Sequence, residues 1–443
     1  MKSSLLRWLA AASVITLMHV PARVFAQQQA VETERIYYRV IDLGTLPGST
    51  FSLAVSIRNN SAVSGTSALA DGSQHAALWY RGSIADIGTP GLEGPNSAAY
   101  GSNEWGQVSG LAETSASDPN GEDFCGYGDH LICLPFVWQS GVMTALPTLG
   151  GNNGEAGLIN QWGEIAGNAE NRKLDSTCPS GGPQVLEEKP VIWKNGAVEE
   201  LPILRGDTDG WAFGINDRGQ VAGATGTCST INPDTFVYVL SRHAILWDKG
   251  KAINLGSLGG AGTFGPGNIA GDVNNDGDVV GTSDLKGDTQ FHAYLWKKGK
   301  GMQDLGTLAG DVNSAGLGIN DSGDVVGVSG DATFANTRAF LRHNGRMSDL
   351  NTLISGKSPL YLMLAHGINS GGEIVGFGVD ILGDVHAFLA TPYDCDSAEA
   401  NSFADGVQDS SLLGSYTREK PLTDDIRKIL ERQFHLHLPS VKN

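Results

Sequence analysis

Residues 304–347 read DLGTLAGDVNSAGLGINDSGDVVGVSGDATFANTRAFLRHNGRM, the shortest complete copy of a unit that recurs along most of the chain. The centre of the unit is an I-N-x-x-G-x-V-x-G segment between two apolar runs. This segment recurs at 58–65, 103–110, 160–167, 216–223, 274–281, 320–327 and 369–376, and the first copy is degenerate. Seven copies at this spacing predict a propeller, a solenoid or an array, because one such unit cannot bury its apolar face alone.

The apolar residues within a unit alternate with a period of two, which favours strands over helices. Val325, Val326 and Val328 form one short run, and 339–341 form another, with Gly and Asn between them. Asn and Gly tolerate the positive φ that tight hairpin turns require. Each unit therefore predicts four antiparallel strands, A to D, which make one propeller blade. Seven blades lie within the usual range of four to eight.

The two ends of the repeat region complement each other. The last repeat stops after its C strand, near Pro392, and an unpaired D-type strand, 37–43, precedes the first repeat. We expect the N-terminal strand to complete the last blade and close the ring, which leaves only short, protected edges. The prediction is an all-β, seven-bladed β-propeller over residues 36–392. A right-handed parallel solenoid is the alternative, but it needs no complementary ends.

The combined pattern DLGTL, A-x-G-I-N, G-x-V-V-G and H-A-F-L-W resembles the HAF-family extracellular repeat of bacteria, named for its His-Ala-Phe triplet. The resemblance covers about Tyr38 to Pro392. It implies secretion and does not imply a particular activity.

The segments outside the repeats have different compositions. Residues 1–26 combine Lys2 and Arg7 with an apolar run and a small residue, Ala26, which predicts a signal peptide cleaved after Ala26 and a secreted or periplasmic protein. Residues 393–443 predict an acidic linker and a short C-terminal amphipathic helix. The net charge of −18 disfavours nucleic acid as a partner. No stretch predicts a membrane span.

The five cysteines predict two disulfides, since export permits their formation. Cys125 and Cys133 flank one short insertion, and Cys178 and Cys228 lie in equivalent loops of neighbouring repeats. Cys395 is left over. We predict no metal site and no cofactor. The calcium-loop-like segment that begins at Asp272 has Ser283 where such a loop needs an acid, so we interpret it as another repeat turn.

The long loops point to one face of the ring. The B–C and D–A loops of a four-stranded blade emerge together, and the B–C loops of blades 2, 3 and 4 are the long ones. Loops on a rigid scaffold are common binding sites. The candidate binding residues at this axial mouth are carboxylates, aromatic residues and one off-register histidine: Glu93, Glu155, Asp207, Asp209, Trp211, Asp311, Tyr361 and His366.

We expect a binding or scaffold module for an extracellular carbohydrate, peptide or surface partner rather than an enzyme. The alternative is a polysaccharide-active enzyme, of glycosidase or lyase type, that uses acids such as Glu155 or Asp207. A glycosidase needs two carboxylates about 5–9.5 Å apart. No G-x-S-x-G nucleophile motif or phosphate-binding glycine loop is present.

Overall fold

The structure is a computed structural model that describes residues 36–179, 184–228, 231–232, 237–238 and 242–393. The predicted signal peptide, the acidic linker, the tail helix and Cys395 lie outside these residues. The described chain forms seven four-stranded antiparallel sheets, one for each repeat, and a small two-stranded sheet. The sheets are the blades of a propeller, so the predicted fold is confirmed.

Strand β1 (Tyr37–Asp42) precedes blade 1. Blade 1 contains β2 (Ser52–Ile57), β3 (Val63–Ala68), β4 (Gln74–Tyr80) and β5 (Ser83–Asp86). Blade 2 contains β6 (Glu93–Ser102), β7 (Gln107–Ser117), β8 (Leu131–Gln139) and β9 (Val142–Ala145). Blade 3 contains β10 (Gly154–Ile159), β11 (Ile165–Leu174), β12 (Leu186–Lys194) and β13 (Ala197–Glu200).

Blade 4 begins with β14 (Asp209–Ile215) and β15 (Val221–Gly226), continues through the small sheet of β16 (Ile231–Asn232) and β17 (Val237–Tyr238), and ends with β18 (His243–Asp248) and β19 (Lys251–Asn254). Blade 5 contains β20 (Ile269–Val273), β21 (Val279–Asp284), β22 (Phe291–Lys297) and β23 (Gly301–Gly306). Blade 6 contains β24 (Asn313–Ile319), β25 (Val325–Gly330), β26 (Thr337–His343) and β27 (Arg346–Asp349), followed by a 3-10 helix, Leu350–Leu353. Blade 7 contains β28 (Tyr361–Ile368), β29 (Ile374–Val379) and β30 (Val385–Tyr393), with β1 as its outer strand.

The first strand of each blade lies innermost, because these seven strands contact one another in sequence around the axis. The A–B and C–D turns therefore share one face of the ring, and the B–C and D–A connections share the other. The repeated glycine of the A–B turn has positive φ, as at Gly323 (φ +80°), and the C–D turn of the same blade has Asn344 (φ +49°) and Gly345 (φ +81°). Two successive positive φ values are typical of the two-residue hairpin loops that match strand twist.

The second glycine of the repeat is required by a close approach between strands. In blade 6 the pairing of β24 with β25 shifts register between Gly316 and Gly318, so β24 is bulged. A Cβ atom on Gly327 would lie 2.0 Å from the carbonyl oxygen of Ala315. The equivalent glycines of the other six blades would meet an inner-strand carbonyl at 2.0–2.1 Å. They are Gly65, Gly110, Gly167, Gly223, Gly281 and Gly376.

The N-terminal strand closes the ring, as predicted. Strand β1 pairs antiparallel with β30, from Tyr37 opposite Tyr393 to Asp42 opposite Phe388. Asp42 also accepts a hydrogen bond from Nδ1 of His386, at 2.9 Å. Equivalent pairs occur within blades 1 and 5, where His75 meets Asp86 and His292 meets Asp304. The histidine of the repeat is thus a structural residue that ties the C strand to the D strand.

The core is divided into layers between adjacent blades. One layer joins Ala166 and Ile192 of blade 3 to Ile215 and Trp247 of blade 4. Both predicted disulfides are present: Cys125–Cys133 within blade 2, and Cys178–Cys228 between the B–C connections of blades 3 and 4. Within the described ranges, no helix has the length and apolar character that crossing a membrane requires.

Candidate functional site

A cavity of about 570 Å³ lies on the propeller axis at the face that carries the A–B turns. Every blade contributes to its wall through the last residue of the inner strand and the first residues of the turn. The volume is within the range that small-ligand sites occupy, about 300–1,000 Å³. This cavity opens on the face opposite the long B–C loops that the sequence indicated.

The repeated asparagine of the turn links each blade to the next. In blades 2 to 7 its side-chain amide donates to the backbone carbonyl of the equivalent residue in the following blade, at 2.7–3.2 Å. Blade 1 has Arg58 at this position, and its Nη2 donates to the carbonyl of Gln107 in blade 2, at 3.4 Å. The amides and the arginine together form a ring of hydrogen bonds around the cavity, which we call the asparagine ring.

The next residue of the turn forms a second series of links. Its backbone N–H donates to a side-chain oxygen of the equivalent residue in the following blade. Glu104, Asp217 and Asp321 accept such bonds from Asn59, Gln161 and Asn275, at 2.6, 2.9 and 2.8 Å. These carboxylates border the cavity, and each already serves as an acceptor that fixes one turn against its neighbour.

Two tryptophans stand at the rim of the cavity in adjacent blades. Trp105 and Trp162 occupy the same position of the turn and are 71% and 74% exposed. The Nε1–H of Trp105 donates to the carbonyl of Gln161, and that of Trp162 donates to the carbonyl of Asp217, both at 2.8 Å. The hydrogen bonds fix the indole orientations while the ring faces stay in contact with solvent. Two held, solvent-facing indoles are suited to stacking against a ligand.

The predicted site residues do not line this cavity, since none of the eight is among the described residues of its wall. Asp207 accepts hydrogen bonds from Thr225 and His243, and Asp311 is paired with Arg338 at 2.7 Å. Glu93 is exposed at the start of β6. These carboxylates lie in different blades.

Two further predicted residues lie on inner strands. Tyr361 starts β28 and is partly buried against a hydrophobic cluster. His366 lies on the same strand, with Nδ1 3.0 Å from the carbonyl oxygen of Val55 in blade 1. Burial lowers the pKa of His366 to about 4, so its imidazole is neutral at neutral pH.

Asp209 and Trp211 belong to a second group of residues on the B–C side of blades 2, 3 and 4. We call it the buried acid cluster, and it consists of Glu122, Glu170, Asp175, Glu188 and Asp209. Glu170 and Glu188 face each other directly across β11 and β12. The hydroxyl of Thr208 lies 3.1 Å from Asp175 and 2.6 Å from Asp209. The indole N–H of Trp211 donates to Glu188. Glu155, also predicted, is buried on the neighbouring strand β10.

Burial and mutual repulsion hold protons on this cluster. Burial, reinforced by Glu122, raises the pKa of Glu170 to about 8. Burial and a hydrogen bond with Asp175 raise the pKa of Asp209 to about 8. Burial also raises the pKa of Glu188 well above its ordinary value. The two lysines nearby, Lys173 and Lys189, pair with Glu187. At neutral pH the cluster is therefore partly protonated, with its oxygens held by neighbouring donors.

Sequence reasoning missed Arg58, Trp105 and Trp162, although the repeat contained the signal. The aligned turns keep Asn and Gly in most copies, and Arg58 replaces the Asn in blade 1. The third turn position is Asn60, Trp105, Trp162, Arg218, Asp276, Ser322 and Gly371 in order. Two consecutive tryptophans at a turn position with no structural need for an apolar side chain indicate a surface with another role.

No protein-family model and no curated protein matches the chain. The similar solved structures are propellers with low sequence identity. The propeller domain of the Trilobed protease from Pyrococcus furiosus is 11% identical, with a TM-score of 0.47 over 80% of this chain and 99% of that one. A Mycobacterium tuberculosis puromycin-hydrolyzing peptidase is 12% identical, with a TM-score of 0.44 over 79% of this chain and 56% of that one. The Aleuria aurantia lectin, in complex with Fucalpha1-6GlcNAc, is 10% identical, with a TM-score of 0.35 over 78% and 96%. The likeness concerns the fold alone.

Proposed function

We propose that this protein is a secreted or periplasmic carbohydrate-binding propeller whose site is the axial cavity on the A–B face. The observation that carries the proposal is the pair of exposed indoles, Trp105 and Trp162, held by hydrogen bonds at the rim of the cavity. The apolar C–H face of a pyranose ring stacks on such a surface, and the sugar hydroxyls then meet polar groups. Turn residues that line the cavity provide such groups in the side-chain amides of Asn59, Gln161 and Asn275.

The placement of the remaining polar groups supports binding. Carboxylates at the cavity wall already accept backbone hydrogen bonds from the neighbouring blade. Glu170 and Asp209, whose pKa values burial raises to about 8, belong to the buried acid cluster at the opposite face. Burial also raises the pKa of three carboxylates outside the cluster, Glu113, Asp272 and Asp284. A polysaccharide-active enzyme, with acids at an axial mouth, is the alternative function, and it would require those acids to meet substrate.

The test is a screen of neutral and acidic oligosaccharides against residues 27–443, with bound ligand measured by calorimetry and product release measured by reducing-end assay. We expect retention without cleavage. Trp105→Ala and Trp162→Ala should each weaken binding about fivefold, since an aromatic stacking contact contributes about 1 kcal/mol. Trp105→Phe, which keeps a stacking face and loses the indole N–H, should lose less.

Ile381→Ala and Leu382→Ala serve as matched controls. Both residues are as exposed as the tryptophans, at 73% and 75%, and both lie in the B–C turn of blade 7 on the other face. They should leave binding unchanged. Equal losses from the control and tryptophan variants would refute the site. Release of shortened products would instead support the enzyme.

A further inference from the structure

Arg58 is the member of the asparagine ring that is not an asparagine. Six of the seven blades use Asn at this position to donate to the following blade. A much larger cationic side chain is not needed for that bond. Its Nη2 donates to blade 2 only at 3.4 Å, and to the carbonyl of Gln107 rather than to that of the equivalent residue, Asn103.

The guanidinium is buried and incompletely paired. Arg58 is 7% exposed, it lines the axial cavity, and its buried Nε has no hydrogen-bond partner among the described residues. Ion pairs of arginine in the described chain involve Arg218 and Arg338, and none involves Arg58. A buried donor without a partner is destabilising, and a buried charge without one is more so. Arg58 borders the axial cavity, where an anionic ligand would pair its charge.

The position of Arg58 connects it to the indoles. It belongs to blade 1, Trp105 belongs to blade 2, and Trp162 belongs to blade 3, so the three departures from the repeat occupy one continuous sector of the cavity wall. A guanidinium presents parallel N–H donors that match a carboxylate. If a sugar that has a carboxylate stacked on one of these indoles, its carboxylate would lie in the same sector as Arg58.

We propose that the axial cavity selects a uronic acid residue, whose carboxylate is bound by Arg58 while its ring stacks on the adjacent tryptophan. This inference rests on the proposed carbohydrate-binding function and names the ligand class within it. Glu104 is the acidic side chain that acts most on Arg58, and its Oε1 already accepts the N–H of Asn59 at 2.6 Å.

The experiment compares a hexamer of galacturonic acid with its methyl ester, in which each carboxylate is neutralised by a methyl group. It uses residues 27–443 and the variant Arg58→Asn. Asn is the residue that the other six blades use, so this substitution restores the repeat and should preserve the ring. Thermal unfolding confirms that the variant folds. Arg58→Lys, which keeps the charge and loses the fork of donors, is the second variant if the first does not fold.

We expect the native protein to bind the acid roughly tenfold to a hundredfold more tightly than the ester, the range expected for a charge-assisted hydrogen bond. Arg58→Asn should remove this preference for the acid, and Arg58→Lys should reduce it. Equal affinities for acid and ester in both proteins would overturn the role of Arg58 and leave the carbohydrate site in place. Failure of every protein to bind either ligand or any neutral oligosaccharide would overturn the carbohydrate site itself.

Discussion

Substituting Gly327 with Ala should destabilise the propeller strongly, against the ordinary preference of strands. A glycine inside a strand is less favourable than alanine by about 0.5–1 kcal/mol, so propensity alone predicts stabilisation. A Cβ here, however, would lie 2.0 Å from the carbonyl oxygen of Ala315 and 2.8 Å from the ring of Phe340. Ordinary contact needs more than 3 Å, so two paired strands must separate by about 1 Å. We expect a loss of about 3 kcal/mol, at the upper end of overpacking effects.

The matched control is Gly323→Ala, four positions earlier in the same repeat. Gly323 has φ +80° and open space around the position of a Cβ, so its substitution carries only the left-handed backbone term of about 1–2 kcal/mol. Urea unfolding of residues 27–443, followed by far-ultraviolet circular dichroism, gives both free energies. If Gly327→Ala is no less stable than Gly323→Ala, the bulged carbonyl is not the reason for the repeated glycine.

Two further predictions concern titratable groups. Burial raises the pKa of Glu170 to about 8. The stability that Glu170 contributes is therefore complete below about pH 4.5 and is lost as pH rises toward 8. Glu170→Gln should flatten the fall of the unfolding free energy over that range, while the exposed control Glu199→Gln should not. A hydrogen bond with Asp42 raises the pKa of His386. Burial acts to raise the pKa of Asp42, but hydrogen bonds, including the one with His386, lower it overall. The pairing therefore stabilises most between about pH 4 and 6.5, and it weakens as pH rises through the pKa of His386. Asp42→Asn should therefore cost about 1 kcal/mol near pH 5.5 and less at pH 8, and it should cost more than Asp86→Asn, whose pair lies within one continuous blade; equal losses would contradict a role in closure.

The fold was predictable because the sequence states it seven times. Three features indicated the same propeller: the period-two apolar runs, the Asn and Gly turns, and the extra strand at 37–43 before the first repeat. The disulfides were predicted from short insertions and equivalent loop positions. Because six regular copies define the pattern, the degenerate copy at Arg58 could also be assigned to a blade. The bulge behind Gly327 was not predictable, since it depends on a register shift between strands that no single-residue pattern encodes.

The predicted binding residues and the described cavity lie on different parts of the propeller, since none of the eight lines the cavity. Length drew attention to the B–C loops of blades 2 to 4. The strands beside those loops carry buried acids: Glu170 on β11 and Glu188 on β12 face each other, and Asp209 at the start of β14 accepts a hydrogen bond from Thr208. The cavity is bordered by the short A–B turns instead. The turn residues that line the cavity can be aligned in the sequence. Which of their positions meet at the propeller axis becomes known only when the ring is closed.

The hydrogen bonds of the asparagine ring run continuously around the propeller, so they do not mark any blade as the first. Each amide donates in the same rotational sense, and Asn369 passes the series back to the carbonyl of Arg58. Tyr37 and Tyr393 are paired neighbours, so the ends of the propeller chain meet within a single blade. The order of the blades along the gene is therefore separable from their order in space. A circular permutant that joins these ends by a short linker, and opens at the C–D turn of Asn344 and Gly345, should keep every bond of the ring. The present start and end of the repeats are then one seam among seven that the same architecture allows.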